Sequence, residues 1–223
     1  MSRAALLALL VLGCSDLTEA PGGVVALEIT TPNLRTIEVG EMLDLSARPI
    51  NKDGDSVAAE VSWRAPDATL AVDPATGVIT GVAPGTGRVQ AVSGSLASEL
   101  VQFNVIAGAD TLIVTESIFT VAPAVAASPP LVAQLQTLSP AAAPLPDRPV
   151  EYAIITPLDG SVTLPGGVLI DTLNTGTDGA VSSVTLTRVN IAQPVSAIVQ
   201  VSAYRTRGAL VPGSGQRFTV TFQ

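Results

Sequence analysis

Histidine is absent from this 223-residue chain, and cysteine, tryptophan and lysine occur once each, as Cys14, Trp63 and Lys52. Without histidine the commonest general base, the usual serine-triad geometry and the commonest metal ligand are all missing. A lone cysteine excludes an intrachain disulfide and a thiolate zinc site. Plentiful serines would have to pair with Lys52, which lies in a predicted turn. The formal net charge is −8, from 11 basic and 19 acidic residues. Such a chain lacks the basic stripe that phosphate backbones require, so nucleic acid is not an expected partner. Direct docking on anionic lipid is disfavoured for the same reason. Aromatics are 3% and charged residues 13%, yet 47% of the chain is apolar. A core must therefore be built from Val, Leu, Ile and Ala, which suits thin β-sandwiches and argues against disorder.

The first residues have a different character. Met1-Ser2-Arg3 is a short basic start, Ala4 to Leu12 is an uninterrupted apolar run, and Gly13-Cys14 precedes polar Ser15-Asp16. A charged start, a short apolar run and a small residue mark a secretory signal. The run is too short to span a bilayer, which needs about 20 apolar residues. Val11-Leu12-Gly13-Cys14 resembles the bacterial lipobox. The resemblance implies a signal peptide over residues 1–13, cleavage before Cys14, lipid on its sulfur and a lipidated tether over 14–23. At least two acyl chains are implied, enough for stable anchoring. With Ser15 rather than Asp after the cysteine, it also implies the outer membrane of a Gram-negative cell, with the side that carries the domains left open.

Residues 24–106 alternate with the period of half-buried strands. Leu43, Leu45 and Ala47 oppose Asp44, Ser46 and Arg48; Val61 and Trp63 oppose Ser62 and Arg64; Val101, Phe103 and Val105 oppose Gln102 and Asn104. Turn signals such as Asp53-Gly54, Asp73-Pro74 and Pro84-Gly85 interrupt them at short intervals. This spacing predicts a β-sandwich. Ile37-Glu38-Val39-Gly40-Glu41, Val61-Ser62-Trp63, Gly77-Val78-Ile79-Thr80-Gly81-Val82 and Pro84-Gly85-Thr86 occur in the order found in the bacterial Ig-like group 2 family, which this stretch resembles. Trp63 is expected between the sheets, and Gly77, Gly81 and Gly85 at corners requiring positive φ.

Ile106 to Asp110 is too short for a free linker, so two domains are expected to stack end to end. Residues 110–223 carry strand-like runs at Leu112–Val114, Leu131–Leu138, Val150–Ile154, Val195–Ala203 and around Phe218, Val220 and Phe222. Pro146-Asp147-Arg148-Pro149-Val150 and Thr177-Asp178-Gly179-Ala180 resemble the invasin-type bacterial Ig-like domains. Ala122–Pro130 and Ser139–Pro149 are Ala/Pro-rich and read as loops or edge segments. The expected architecture is all-β, with two tandem Ig-like β-sandwiches.

The polar constellations mostly have plain explanations. Asn51, Asp53 and Asp55 have calcium-loop spacing, but Gly54 is misplaced and no downstream glutamate closes a cage, so an Asp-Gly hairpin is expected. Glu116, Glu151, Asp159 and Asp171 form no glycosidase motif. Trp63 and Tyr152 fall on apolar faces and are expected in cores. Tyr204, Arg205 and Arg207 are the candidate surface contact, for glycan stacking or as a small basic patch completed by Arg217. No catalytic residue, metal or cofactor is expected. The expected function is non-enzymatic adhesion, scaffolding or display from a lipid anchor toward an unidentified protein or glycan. The alternative is a carbohydrate-binding or accessory lipoprotein of a polysaccharide or secretion system.

Overall fold

The computed structural model describes residues 23–139 and 141–223. Cys14, the signal peptide and nearly all of the expected tether lie outside them. The first part contains β1 (Ala26–Thr30), β2 (Thr36–Glu38), β3 (Met42–Asp44), β4 (Ser46–Ile50), β5 (Ser62–Arg64), β6 (Leu70–Val72), β7 (Val78–Gly81), β8 (Gly85–Ser93), β9 (Leu96–Ala97) and β10 (Val101–Ile106). One sheet runs β2-β10-β8-β5, with β2 parallel to β10 and the other pairs antiparallel. The opposing layer pairs β3-β7-β6, while β1 pairs β4. The first strand thus lies on one sheet and its continuation crosses to the last strand of the other, which is the Ig-like arrangement.

Alternation explains why these segments are strands. Trp63, Val89, Ala91, Phe103 and Val105 are buried, while Ser62, Arg64, Gln102 and Asn104 face water. The expected Leu43–Leu45–Ala47 face is kept, all three packing on the first core while Asp44, Ser46 and Arg48 are exposed, although the strand itself breaks in two at Leu45. Leu45 falls between β3 and β4, its N–H donating to the Gly77 carbonyl at 3.2 Å, and the two halves pair with different strands. At the surface Arg88 donates from Nε and NH2 to the Asp67 carboxylate at 2.8 and 2.9 Å, holding that acid below the usual carboxylate range.

The glycine expectations divide. Gly77 and Gly85 have φ of +80° and +142°, but Gly81 does not share this conformation. Gly81 is required for space: a Cβ there would lie 2.5 Å from the Glu38 carbonyl oxygen. The backbone of β7 passes so close to the end of β2 that no side chain fits between them.

The second part contains β11 (Thr111–Val114), β12 (Ile118–Val121), β13 (Ala133–Thr137), β14 (Ala143–Pro144), β15 (Pro149–Thr156), β16 (Val162–Thr163), β17 (Ile170–Asn174), β18 (Ala180–Val181), β19 (Thr187–Arg188), β20 (Val195–Ala203) and β21 (Gln216–Phe222). The larger sheet runs β12-β21-β20-β15-β17, again with the early strand parallel to the last. The facing sheet runs β11-β13-β14, with β18 also on β13. Pro144 sits on an edge strand, where its missing N–H costs no ladder bond. The hydrophobic cores are separate: one draws on Val24 through Val105, the other on Ala109 through Phe222.

Tyr152 is fully buried, stacks near Phe218 with ring centroids 6.1 Å apart, and donates its hydroxyl to the Leu131 carbonyl at 3.0 Å. Burial pushes its phenol well above the ordinary value. A raised folded-state value stabilises the fold fully below the unfolded phenol pKa of about 10, and this contribution is lost as pH rises beyond it. Tyr152→Phe is therefore expected to cost about 1 kcal/mol at neutral pH and to flatten the loss of stability above pH ~10. Urea midpoints on both sides of that pH check this; equal alkaline slopes for the two proteins would refute it.

Candidate functional site: the joint between the sandwiches

Glu38 ends β2, where the alternation of the strand gives no obvious reason to bury a charge. Its side chain is nevertheless 0% exposed. Parallel pairing of β2 with β10 brings it beside the chain leaving Ile106, at the end of the first sandwich where the second begins. Oε2 accepts the Ala109 N–H at 2.8 Å. Oε1 accepts Arg148 NH1 and the Thr206 N–H, both at 3.0 Å. One carboxylate from the first sandwich is thus held by the connecting segment and by two separate loops of the second.

Neighbouring groups complete the network. Glu41 Oε2 accepts the Glu38 N–H at 2.8 Å and the Thr206 hydroxyl at 3.2 Å. Arg148 NH2 donates to the Ala107 carbonyl at 2.7 Å. Arg205 NH2 pairs with Asp110 Oδ1 at 2.8 Å, and Asp110 Oδ2 accepts the Leu138 N–H at 2.7 Å. Arg207 NH2 reaches back to the carbonyls of Leu34 and Thr36 at 3.0 and 3.3 Å. Gly108 permits the crossing, since a Cβ there would lie 2.7 Å from the Val39 carbonyl oxygen.

A buried ion pair owes little of its value to the pair alone, because desolvation offsets the attraction. What it supplies here is geometry. Several donors converge on a single carboxylate, so rotating one sandwich against the other strands several buried groups at once. The joint can hold an orientation.

The sequence-predicted residues fall in three places. Arg205 and Arg207 are not a free surface patch. Arg205, with its side chain 17% exposed, and Arg207 are committed to the joint, because the turn after β20 folds back onto the first sandwich. Tyr204 points outward and is 47% exposed. Trp63 and Tyr152 are in the cores. Asn51 accepts the N–H groups of Asp53 and Asp55 on its own Oδ1, both at 2.9 Å, closing the turn as a hairpin cap. Asp178 does the same for the Ala180 N–H at 3.0 Å. No group of three or more acidic, cysteine or histidine side chains that could hold a metal occurs among the described residues.

Glu38, Asp110 and Arg148 escape sequence reasoning. The one available signal is a glutamate framed by Ile37 and Val39 at the end of a strand, with Arg148 framed by prolines far downstream.

No protein-family model and no curated protein matches the chain. Among solved structures, it overlaps the Yersinia pseudotuberculosis adhesin InvE at 16% identity and a TM-score of 0.40, covering 85% of this chain and 56% of that one. The chain thus spans little more than half of InvE. The D00-D0 domain of intimin matches at 14% identity, 88% and 99% coverage and a TM-score of 0.32. Fibronectin(III)-like modules of Clostridium thermocellum CbhA match at 17% identity, 88% and 92% coverage and a TM-score of 0.36. The assignment of two Ig-like sandwiches rests on strand order and register.

Proposed function

We propose that the chain is a non-enzymatic, lipid-anchored cell-envelope protein that uses paired Ig-like sandwiches for adhesion, scaffolding or display. The observation that supports this most is the joint. A sandwich pair locked through Glu38, Arg148 and Arg205 behaves as one stiff body, which is what a module holding a surface away from a membrane requires. The chain direction agrees. β1 and β2 run toward the joint, so the N-terminal segment meets the first sandwich at its far end, and the second sandwich stands beyond it. Anchoring at Cys14 would place the loops between β15 and β16 and between β19 and β20 outermost.

Fractionation tests the anchor. The mature protein is expected in the membrane fraction with an acylated N-terminal cysteine by mass spectrometry, and Cys14→Ala is expected to move it into the soluble fraction. An unmodified N-terminus that begins elsewhere would end the lipoprotein reading. Protease accessibility on intact cells then separates surface display from a periplasmic role. The carbohydrate-binding alternative is favoured by one observation, a cavity lined by Asp159, Asn190 and Gln193 at the end of the second sandwich remote from the joint.

A further inference from the structure

We propose that the end of the second sandwich farthest from the joint carries a binding site for a single neutral sugar unit. A cavity of about 200 Å³ opens there, lined by Asp159, Ser161, Asn190, Gln193, Pro194 and Val195. Its position follows from the topology. Arg148 precedes β15 and Thr206 follows β20, both at the joint, whereas Asp159 follows the end of β15 and Val195 opens β20. The cavity therefore sits at the opposite pole.

The lining suits a polyol. Asp159 Oδ1 is engaged by the Ser161 N–H at 2.9 Å, and Asn190 Oδ1 by the Ala192 N–H at 3.0 Å. These contacts hold both side chains in place at the cavity and leave the Asn190 amide nitrogen free to donate. The Gln193 amide is exposed and makes no side-chain hydrogen bond among the described residues. The Ser161 hydroxyl and N–H both face Asp159 and hold its carboxyl below the usual carboxylate range. Asp159, Asn190 and Gln193 thus bring acceptors and donors to one cavity, and Pro194 and Val195 add an apolar part to its lining for the C–H face of a sugar ring.

Other ligand classes fit less well. One carboxylate does not meet the oxygen count of a calcium site. An anion would face Asp159, while Arg188, whose NH1 lies 3.4 Å from the Gln193 carbonyl, is 2% exposed. Its guanidinium is turned inward to the carbonyls of Val125 and Gln223 at 3.0 and 2.9 Å and lies 5.4 Å from the Phe222 ring centroid.

This proposal deepens the carbohydrate alternative and rests on that reading for the ligand class alone. The test is saturation-transfer NMR on the full chain in mild detergent, with the methyl glycosides of glucose, galactose, mannose and N-acetylglucosamine. At least one is expected to bind, and Asp159→Asn combined with Gln193→Ala is expected to weaken it about tenfold or more. Asp159→Asn keeps the oxygen that accepts the Ser161 N–H, so the turn is retained and an unchanged melting curve verifies it. Arg35→Ala, in a different surface groove, is expected to leave binding unaltered. Silence from every glycoside, binding that ignores the double variant, or tighter uptake of methyl glucuronide than of methyl glucoside would each overturn the site. Such a failure leaves the Cys14 fractionation result untouched. Conversely, sugar binding by a chain that proves soluble would remove the anchor and keep the site.

Discussion

Glu38→Ala is expected to lower stability by about 3–5 kcal/mol, the usual cost of stranding one member of a buried ion pair. The substitution removes the oxygens that accept the Ala109 N–H and the Thr206 N–H, and leaves Arg148, 14% exposed, without its carboxylate. At roughly 2–4 °C per kcal/mol for a chain of this size, the melting midpoint should fall by about 10 °C. The loss should also have a shape. Trp63 is the only tryptophan and sits in the core of the first sandwich, so its fluorescence follows that sandwich alone, while circular dichroism follows both. In the native protein the two signals should change together. In Glu38→Ala they should separate, because the two cores no longer share a joint. Coincident transitions at an unshifted midpoint would show that the joint neither stabilises nor couples the sandwiches. Glu38→Gln should fall between, since it keeps an acceptor oxygen and loses the charge.

The second large effect is expected at Gly77→Ala. Gly77 has φ of +80°, and a Cβ there would lie 2.6 Å from Trp63 Cε2 and 2.9 Å from the Leu45 carbonyl oxygen. The left-handed conformation costs an alanine about 1–2 kcal/mol, and forcing a methyl group into a packed site adds about 1–3 kcal/mol. The indole cannot simply swing away, because it is 7% exposed and lies between the sheets. A loss of about 2–5 kcal/mol is expected, with the damage reported by Trp63 emission and confined to the first sandwich. Gly54→Ala provides the contrast. It shares a positive φ of +87° but has nothing within 4 Å of the added Cβ, so only the conformational cost applies. Equal losses at Gly77 and Gly54 would mean that crowding against Trp63 contributes nothing.

These two positions differ in how far a sequence reader reaches them. Gly77 was readable, because a Thr-Gly pair between two alternating runs calls for a turn with positive φ, and Trp63 was readable as a core residue from its alternation with Ser62 and Arg64. Gly81 looked the same and was not: its requirement comes from the Glu38 backbone crossing above it, a strand remote in sequence. Tyr152, Val199 and Phe218 also followed from alternation, since period-2 patterning is a local property of one strand. Arg205 and Arg207 misled for the opposite reason. Charge beside an exposed tyrosine at a strand end suggests solvent, and nothing local reveals that the following turn folds onto the first sandwich.

The sequence by itself determined the all-β class, the turns that punctuate it and the apolar faces of most strands, because each depends on neighbours a few residues apart. It also supplied the expectation of a lipid anchor at Cys14, which fractionation can test directly. Tertiary structure alone decided the joint and the cavity. The acceptors on Glu38 are met by donors 71, 110 and 168 residues away, and burying that charge is tolerable only once all of them arrive. The outer cavity likewise joins the loop after β15 to the loop before β20. Local patterning makes strands; which loops meet at their ends is settled by how the sheets are ordered.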